Sequence, residues 1–192
     1  MTNFYGTAEI TGAISHLIND NGKIIIIGSL AGTLDILKSE GLKKEFEDPN
    51  LTMYKLYLLA QKYYLDIKYN RSIKEGWSKW PYGVSKIFLH TYARSIAADP
   101  LYVNRNIQVY IEHPGTVLTE MSQGIHSLLN IPISTLDEGV SGTCYLFDLP
   151  WTINEYQGRL FDQCKKASYS EKIDFSQIFK DEEKAFDYET YH

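Results

Sequence analysis

Four consecutive isoleucines, Ile24 to Ile27, stand between Gly22 and Gly28. An unbroken apolar run this short suits a parallel strand covered on both faces, because a half-exposed strand alternates polar and apolar side chains. The surrounding sequence supplies the helices such a strand needs. Ile10, Ile14, Leu17 and Ile18 recur at helical spacing, and the turn formers Asn19-Asp20-Asn21-Gly22 end that stretch. Ile107 to Ile111 reads as a second strand, opening into Glu112-His113-Pro114-Gly115, and Gly158 to Phe161 as a third. Between them lie two helices. Pro81 to Ala98 is stopped by Asp99-Pro100, and Leu136 to Phe147 starts where Thr135 and Glu138 match a capping box. The order strand, helix, strand, helix, strand predicts an α/β fold, the second half of a doubly wound parallel sheet.

A long segment, Leu34 to Trp80, separates the isoleucine strand from the Pro81 helix. Within it Leu51 to Lys68 reads as a helix, with Met53, Leu56, Tyr57, Ala60, Tyr64 and Ile67 on one side.

Tyr82-Gly83-Val84-Ser85-Lys86 places a phenol and an amine four residues apart, and Ser29 closes the isoleucine run. Four residues is just over one helical turn, so Tyr82 and Lys86 share a face, where the ammonium favours the phenolate. A phenol so placed can hand a proton to a carbonyl oxygen near neutral pH.

Five motifs then occur in a telling order. They are Thr2-Asn3-Phe4-Tyr5-Gly6-Thr7; Gly22-Lys23 with the four isoleucines and Gly28-Ser29; Lys74-Glu75-Gly76-Trp77; Tyr82 to Lys86; and Pro114-Gly115-Thr116-Val117-Leu118-Thr119-Glu120-Met121. Together they resemble the short-chain dehydrogenases/reductases, most nearly the NADPH-dependent carbonyl reductases, from the first residues to about Lys166. The resemblance implies reduction of aldehydes, ketones or quinones with NADPH. It makes Tyr82 the general acid, Lys86 the residue that binds the nicotinamide ribose, and Ser29 the donor to the substrate carbonyl. Asn3 aligns with the asparagine that holds a relay water. Pro114, Gly115, Val117 and Thr119 fall in the nicotinamide-side loop, where the Val117 backbone and the Thr119 hydroxyl would meet the carboxamide and phosphate. Thr116 and Leu118 depart from the tryptophan and arginine common there. The 34–80 insertion resembles one that covers the face related enzymes use to form tetramers, which implies a monomeric parent enzyme.

The same resemblance marks what is not found. The family's nucleotide-binding half begins with a strand, a glycine-rich turn and a helix. The nearest glycine cluster here, Gly28-Ser29-Leu30-Ala31-Gly32, has the wrong spacing for that fingerprint. The expectation is a partial Rossmann-type sheet: residues 1–170 form the C-terminal part of the reductase domain, and 171–192 form an acidic extension. In the family the isoleucine strand pairs with a preceding strand, so Ile24 to Ile27 is expected to be an open edge through which the chain associates. The alternative to a working reductase is a truncated, non-catalytic remnant, or one piece of a split enzyme.

Composition narrows the remaining classes. At 192 residues, 44% of them hydrophobic, the chain can bury one core. The net charge is −5, and Glu171 to His192, with seven acids and three lysines, carries most of it. Nothing resembles a basic stripe for nucleic acid, a membrane span or a signal peptide. Two cysteines, Cys144 and Cys164, fit a reduced, cytoplasmic protein. His16, His90, His113, His126 and His192 show no metal-binding spacing. Ser29 stands between Gly28 and Leu30, not in the glycine-x-serine-x-glycine frame of a hydrolase elbow.

Overall fold

The computed structural model describes residues 2–120, 122, 133–150 and 156–167, and the acidic extension lies outside them. Strand β1 (Lys23–Ile27) pairs in parallel with β2 (Gln108–His113), with Ile26 opposite Ile111. β2 pairs in parallel with β3 (Leu160–Asp162), and β3 turns back against antiparallel β4 (Lys165–Ala167). The sheet order is β1-β2-β3-β4. This is the α/β arrangement the alternation predicted, extended by one short strand.

The strand covered on both faces is β2, not the isoleucine run. Val109, Tyr110, Ile111 and Glu112 are all fully buried, whereas of the four isoleucines only Ile26 is buried and Ile27 is 47% exposed. Among the described residues β1 is one edge of the sheet and β4 the other. Position in the sheet, rather than apolar content, therefore decides which strand is enclosed.

Helix α1 (Thr2–Ile14) forms where the apolar spacing predicted one, with a different face inward. Phe4, Ala8 and Thr11 are buried; Ile10, Ile14 and Leu17 are 63%, 44% and 69% exposed. Phe4 decides the orientation. Its ring lies 5.6 Å from Phe88 and 5.2 Å from Tyr57, and this aromatic burial outweighs the smaller aliphatic stripe.

The insertion holds two helices, α2 (Glu40–Glu47) and α3 (Met53–Lys68). The inward face of α3 is Leu56, Leu59, Ala60, Tyr63 and Asp66; Tyr64 and Ile67 point outward. Asp66 fixes that rotation. Its buried carboxylate accepts from Lys62 Nζ at 2.6 Å, Arg71 Nε at 2.7 Å and Trp77 Nε1 at 2.9 Å. The Tyr63 ring packs 4.8 Å from Trp77 beside it. A cationic and indole cage of this kind lets a carboxylate take a core position that apolar counting assigns elsewhere.

Helix α4 (Pro81–Ala97) begins with proline in its first turn and is buried without a break from Gly83 to Ala93. So enclosed a helix must satisfy its polar members internally, and Ser85, Lys86, His90 and Thr91 all find partners. A short helix, α5 (Pro100–Val103), is capped by Asp99 and leads into β2. Helix α6 (Leu136–Asp148) opens on the capping box formed by Thr135 and Glu138. Its C-terminal carbonyls at Leu146 and Phe147, with that of Leu149, accept from Lys23 Nζ, which ties α6 to β1. Among the described residues no helix is long and apolar enough to cross a membrane.

Candidate active site

The C-terminal end of β1 lies against the N-terminal half of α4. Tyr82 sits in the first turn of α4, 44% exposed, with the Trp80 ring 5.7 Å away. One turn deeper, Lys86 is buried; its Nζ donates to the Ile27 carbonyl at 2.9 Å and lies 5.7 Å from the centre of the Tyr82 ring. Burial holds the Lys86 amine below its ordinary pKa. Ser29 follows Ile27 by two residues, in extended backbone, and caps the short turn Leu30–Gly32. Its Oγ accepts the Ala31 N–H at 3.2 Å, a bond that leaves the hydroxyl's own hydrogen for another acceptor.

Asn3 reaches the same helix from α1. Its Nδ2 donates to Ser85 Oγ at 2.9 Å, and Ser85 Oγ donates to the Tyr82 carbonyl at 2.7 Å. The asparagine is thus joined through Ser85 to the backbone of Tyr82. Phe4, beside it and fully buried, anchors the first turn of α1.

The loop Pro114 to Thr119 leaves the C-terminal end of β2. Gly115 takes φ +77°, and a side chain there would also meet Ser134 Oγ at 2.7 Å, so only glycine fits. Val117 pairs with Ser134 in an isolated parallel bridge. The Thr119 N–H donates to Ser122 Oγ at 2.8 Å, and Ser122 Oγ donates to the Val117 carbonyl at 2.7 Å. Thr119 Oγ1 lies 3.4 Å from the same oxygen, so its hydroxyl belongs to its own turn. The bonds of this loop run to Ser122 and Ser134, and Met121 of the same motif lies outside the described residues.

Two buried titratable residues escaped the sequence reading. His90, 1% exposed, accepts the Ser29 N–H at its Nε2 (3.1 Å), while its Nδ1 lies 3.1 Å from the Gly32 carbonyl. Burial, reinforced by the Lys86 charge, pushes the imidazole down to about 3. Glu112, the last fully buried residue of β2, has its carbonyl bonded to the Gly28 N–H at 2.7 Å. Burial, with repulsion from Asp162, pushes its carboxyl up to about 7 against a weak contact from Thr143. Among the described residues Glu112 Oε1 meets no hydrogen-bond partner. The signal for His90 was present in the spacing: 82, 86 and 90 mark one stripe of a helix.

Tyr82, Lys86 and the Pro114 loop all lie at the carboxyl ends of parallel strands, where open α/β sheets bind ligands. Lys86 could serve the nicotinamide-ribose end of a dinucleotide, because its ammonium carries three donors and among the described residues makes one bond, to Ile27. For the pyrophosphate end, the fingerprint turn does not occur in this sequence.

The chain is similar to known reductases in sequence and in fold. No family model matches the chain. It is 32% identical over 168 residues to carbonyl reductase (NADPH) 3 of Homo sapiens, covering 83% of this chain and 56% of that protein. To carbonyl reductase (NADPH) 1 of Bos taurus it is 29% identical over 153 residues, covering 78% and 53%. Its fold matches salutaridine reductase from Papaver somniferum with a TM-score of 0.69 at 24% identity, over 83% of this chain and 52% of that one. The chain spans about half the length of the curated relatives it matches. Fold and sequence together define a Rossmann-type segment of the short-chain dehydrogenase/reductase kind. Within that family, the chain belongs to the carbonyl reductase-like branch.

Proposed function

We propose that this chain carries the reaction site of an NADPH-dependent carbonyl reductase, which converts aldehydes, ketones or quinones to alcohols. The observation that carries this reading is the placement of Lys86: buried, bonded to the Ile27 carbonyl at the end of β1, and one helical turn below Tyr82. A bound NADPH would supply the hydride. Ser29 would donate its hydroxyl hydrogen to the substrate carbonyl oxygen, orienting it and stabilising the charge that develops there. Tyr82 would give that oxygen its proton. Lys86 would offer its remaining N–H donors to the ribose hydroxyls. Asn3, through Ser85, steadies the first turn of α4, and by the family resemblance it would hold a relay water. Pro114, Gly115, Val117 and Thr119 would border the nicotinamide. Cys144 and Cys164 are free and exposed, which suits a reducing compartment, and we place the protein in the cytoplasm.

A second reading, a non-catalytic interaction module or one piece of a split enzyme, is favoured by one feature. Strand β1 is an edge of the sheet among the described residues, and Ile10, Ile14, Leu17 and Ile27 are exposed. The two readings separate in a turnover assay with saturating NADPH and either a quinone or an aromatic aldehyde. Oxidation of NADPH that depends on the carbonyl compound and falls in Ser29→Ala supports the reductase. The absence of turnover with both substrates supports the module.

A further inference from the structure

We propose that His90 is a positioning residue that holds the Ser29–Gly32 turn against α4, locking the serine to the helix that bears Tyr82 and Lys86. The geometry assigns its tautomer. A backbone N–H can only donate and a carbonyl can only accept, so Nε2 takes the Ser29 N–H and Nδ1–H donates to the Gly32 oxygen. One neutral imidazole therefore satisfies both ends of a four-residue turn, and a protonated ring would set two donors against each other at Ser29.

The turn is cut to fit this ring. A side chain at Gly28 would come within 2.5 Å of His90 Nε2, and one at Gly32 within 2.7 Å of His90 Cε1. The cluster Gly28-Ser29-Leu30-Ala31-Gly32 thus serves an imidazole, which explains why its spacing fails as a phosphate-binding fingerprint. Lys86 grips the same segment one turn earlier, at the Ile27 carbonyl. Two successive turns of α4 hold three consecutive features of the strand end: Ile27, Ser29 and Gly32. Ser29 needs such a hold, because among the described residues its own side chain bonds within its turn, to the Ala31 N–H.

The role in reduction rests on the reading under Proposed function, but the clamp is tested without turnover. His90→Phe keeps the ring volume and removes both bonds. His90→Gln restores an acceptor and a donor at the end of one side chain. Amide hydrogen exchange is followed by NMR at Ser29, with Val109 and Ile111 of β2 as internal controls. The expected result is exchange at Ser29 faster by about ten-fold or more in His90→Phe, controls unchanged, and protection recovered in His90→Gln. A ring nitrogen spectrum of the wild-type chain at neutral pH is expected to show the proton on Nδ1. Equal Ser29 protection in all three proteins, or a proton on Nε2, overturns the proposal. Uniform loss of protection at Ser29, Val109 and Ile111 in both variants also overturns it. A wild-type chain that lacks reductase activity defeats the reductase reading alone, because exchange requires no catalysis.

Discussion

Lys86 donates its ammonium to the main-chain oxygen of Ile27 across 2.9 Å, joining the middle of a buried helix to the end of the edge strand. Main-chain atoms do not change with sequence, so this contact fixes where the chain after Ile27 begins. Ser29 follows within two residues, and Tyr82 lies one turn back along the helix.

Replacing Lys86 with methionine keeps most of the side-chain bulk and removes the donor. NADPH affinity, followed by fluorescence titration, is expected to fall by about ten-fold or more, the cost of losing charged hydrogen bonds. The melting temperature is expected to hold or rise, because burial already disfavours the ammonium. A variant that melts early yet binds NADPH as the wild type does would count against the assigned role.

The cofactor itself is expected to bind weakly to the 192-residue chain, since the sequence contains no glycine-rich turn for the pyrophosphate. Half-saturation in the range of about a millimolar, rather than micromolar, is the expected outcome of a steady-state titration. Micromolar binding would show that other residues grip the phosphates.

Glu112 predicts a pH dependence of stability. Its ordinary value of 4.5 rises to about 7 in the fold, so between these the folded chain keeps a proton that the unfolded chain has released. Stability from this group is therefore complete below about 4.5 and declines as pH rises to about 7. Glu112→Gln is expected to flatten that decline and to stabilise the protein at pH 8 by roughly 2 kcal/mol. Urea melts of both proteins at pH 5 and pH 8 measure it; parallel curves would contradict the assignment.

Asp66 is expected to be the costliest single loss in the insertion. Burial pushes its carboxyl up, but bonds from Lys62, Trp77 and Arg71 outweigh burial and hold it below the ordinary carboxylate range. Asp66→Ala removes the acceptor of Arg71 and of the buried Trp77 indole at once and leaves Lys62 with Glu75 alone, and a loss of about 3 kcal/mol in denaturant unfolding is expected. A loss under about 1 kcal/mol would mean that water replaces the carboxylate readily.

The open edge is expected to bring two copies of the chain together. Light scattering should show concentration-dependent association, and Ile27→Lys, a charge on an exposed edge position, should suppress it. A monomer at all concentrations would contradict this.

The sequence was most legible where chemistry and punctuation coincide. Pro81 and Asp99-Pro100 bounded α4 to within a residue, and Thr135 with Glu138 marked the start of α6. It was least legible where tertiary contacts choose between faces. Phe4 turned α1 away from its isoleucine stripe, Asp66 rotated α3, and β2 rather than the isoleucine run took the enclosed position. The pairing of Tyr82 with Lys86 followed from helical spacing, and Ser29 was read from its place after a strand end. His90 shares that helical spacing, but its part depends on two backbone groups that no side-chain motif records.

The most direct measurement is the kcat of Tyr82→Phe beside that of the wild-type chain, with NADPH and a carbonyl substrate both saturating. Tyr82 is 44% exposed, so the phenylalanine variant is expected to fold and melt normally. The account predicts a fall in kcat of about a hundred-fold or more, the usual contribution of a positioned general acid. Turnover within about two-fold of wild type would contradict it, since a different group would then be supplying the proton.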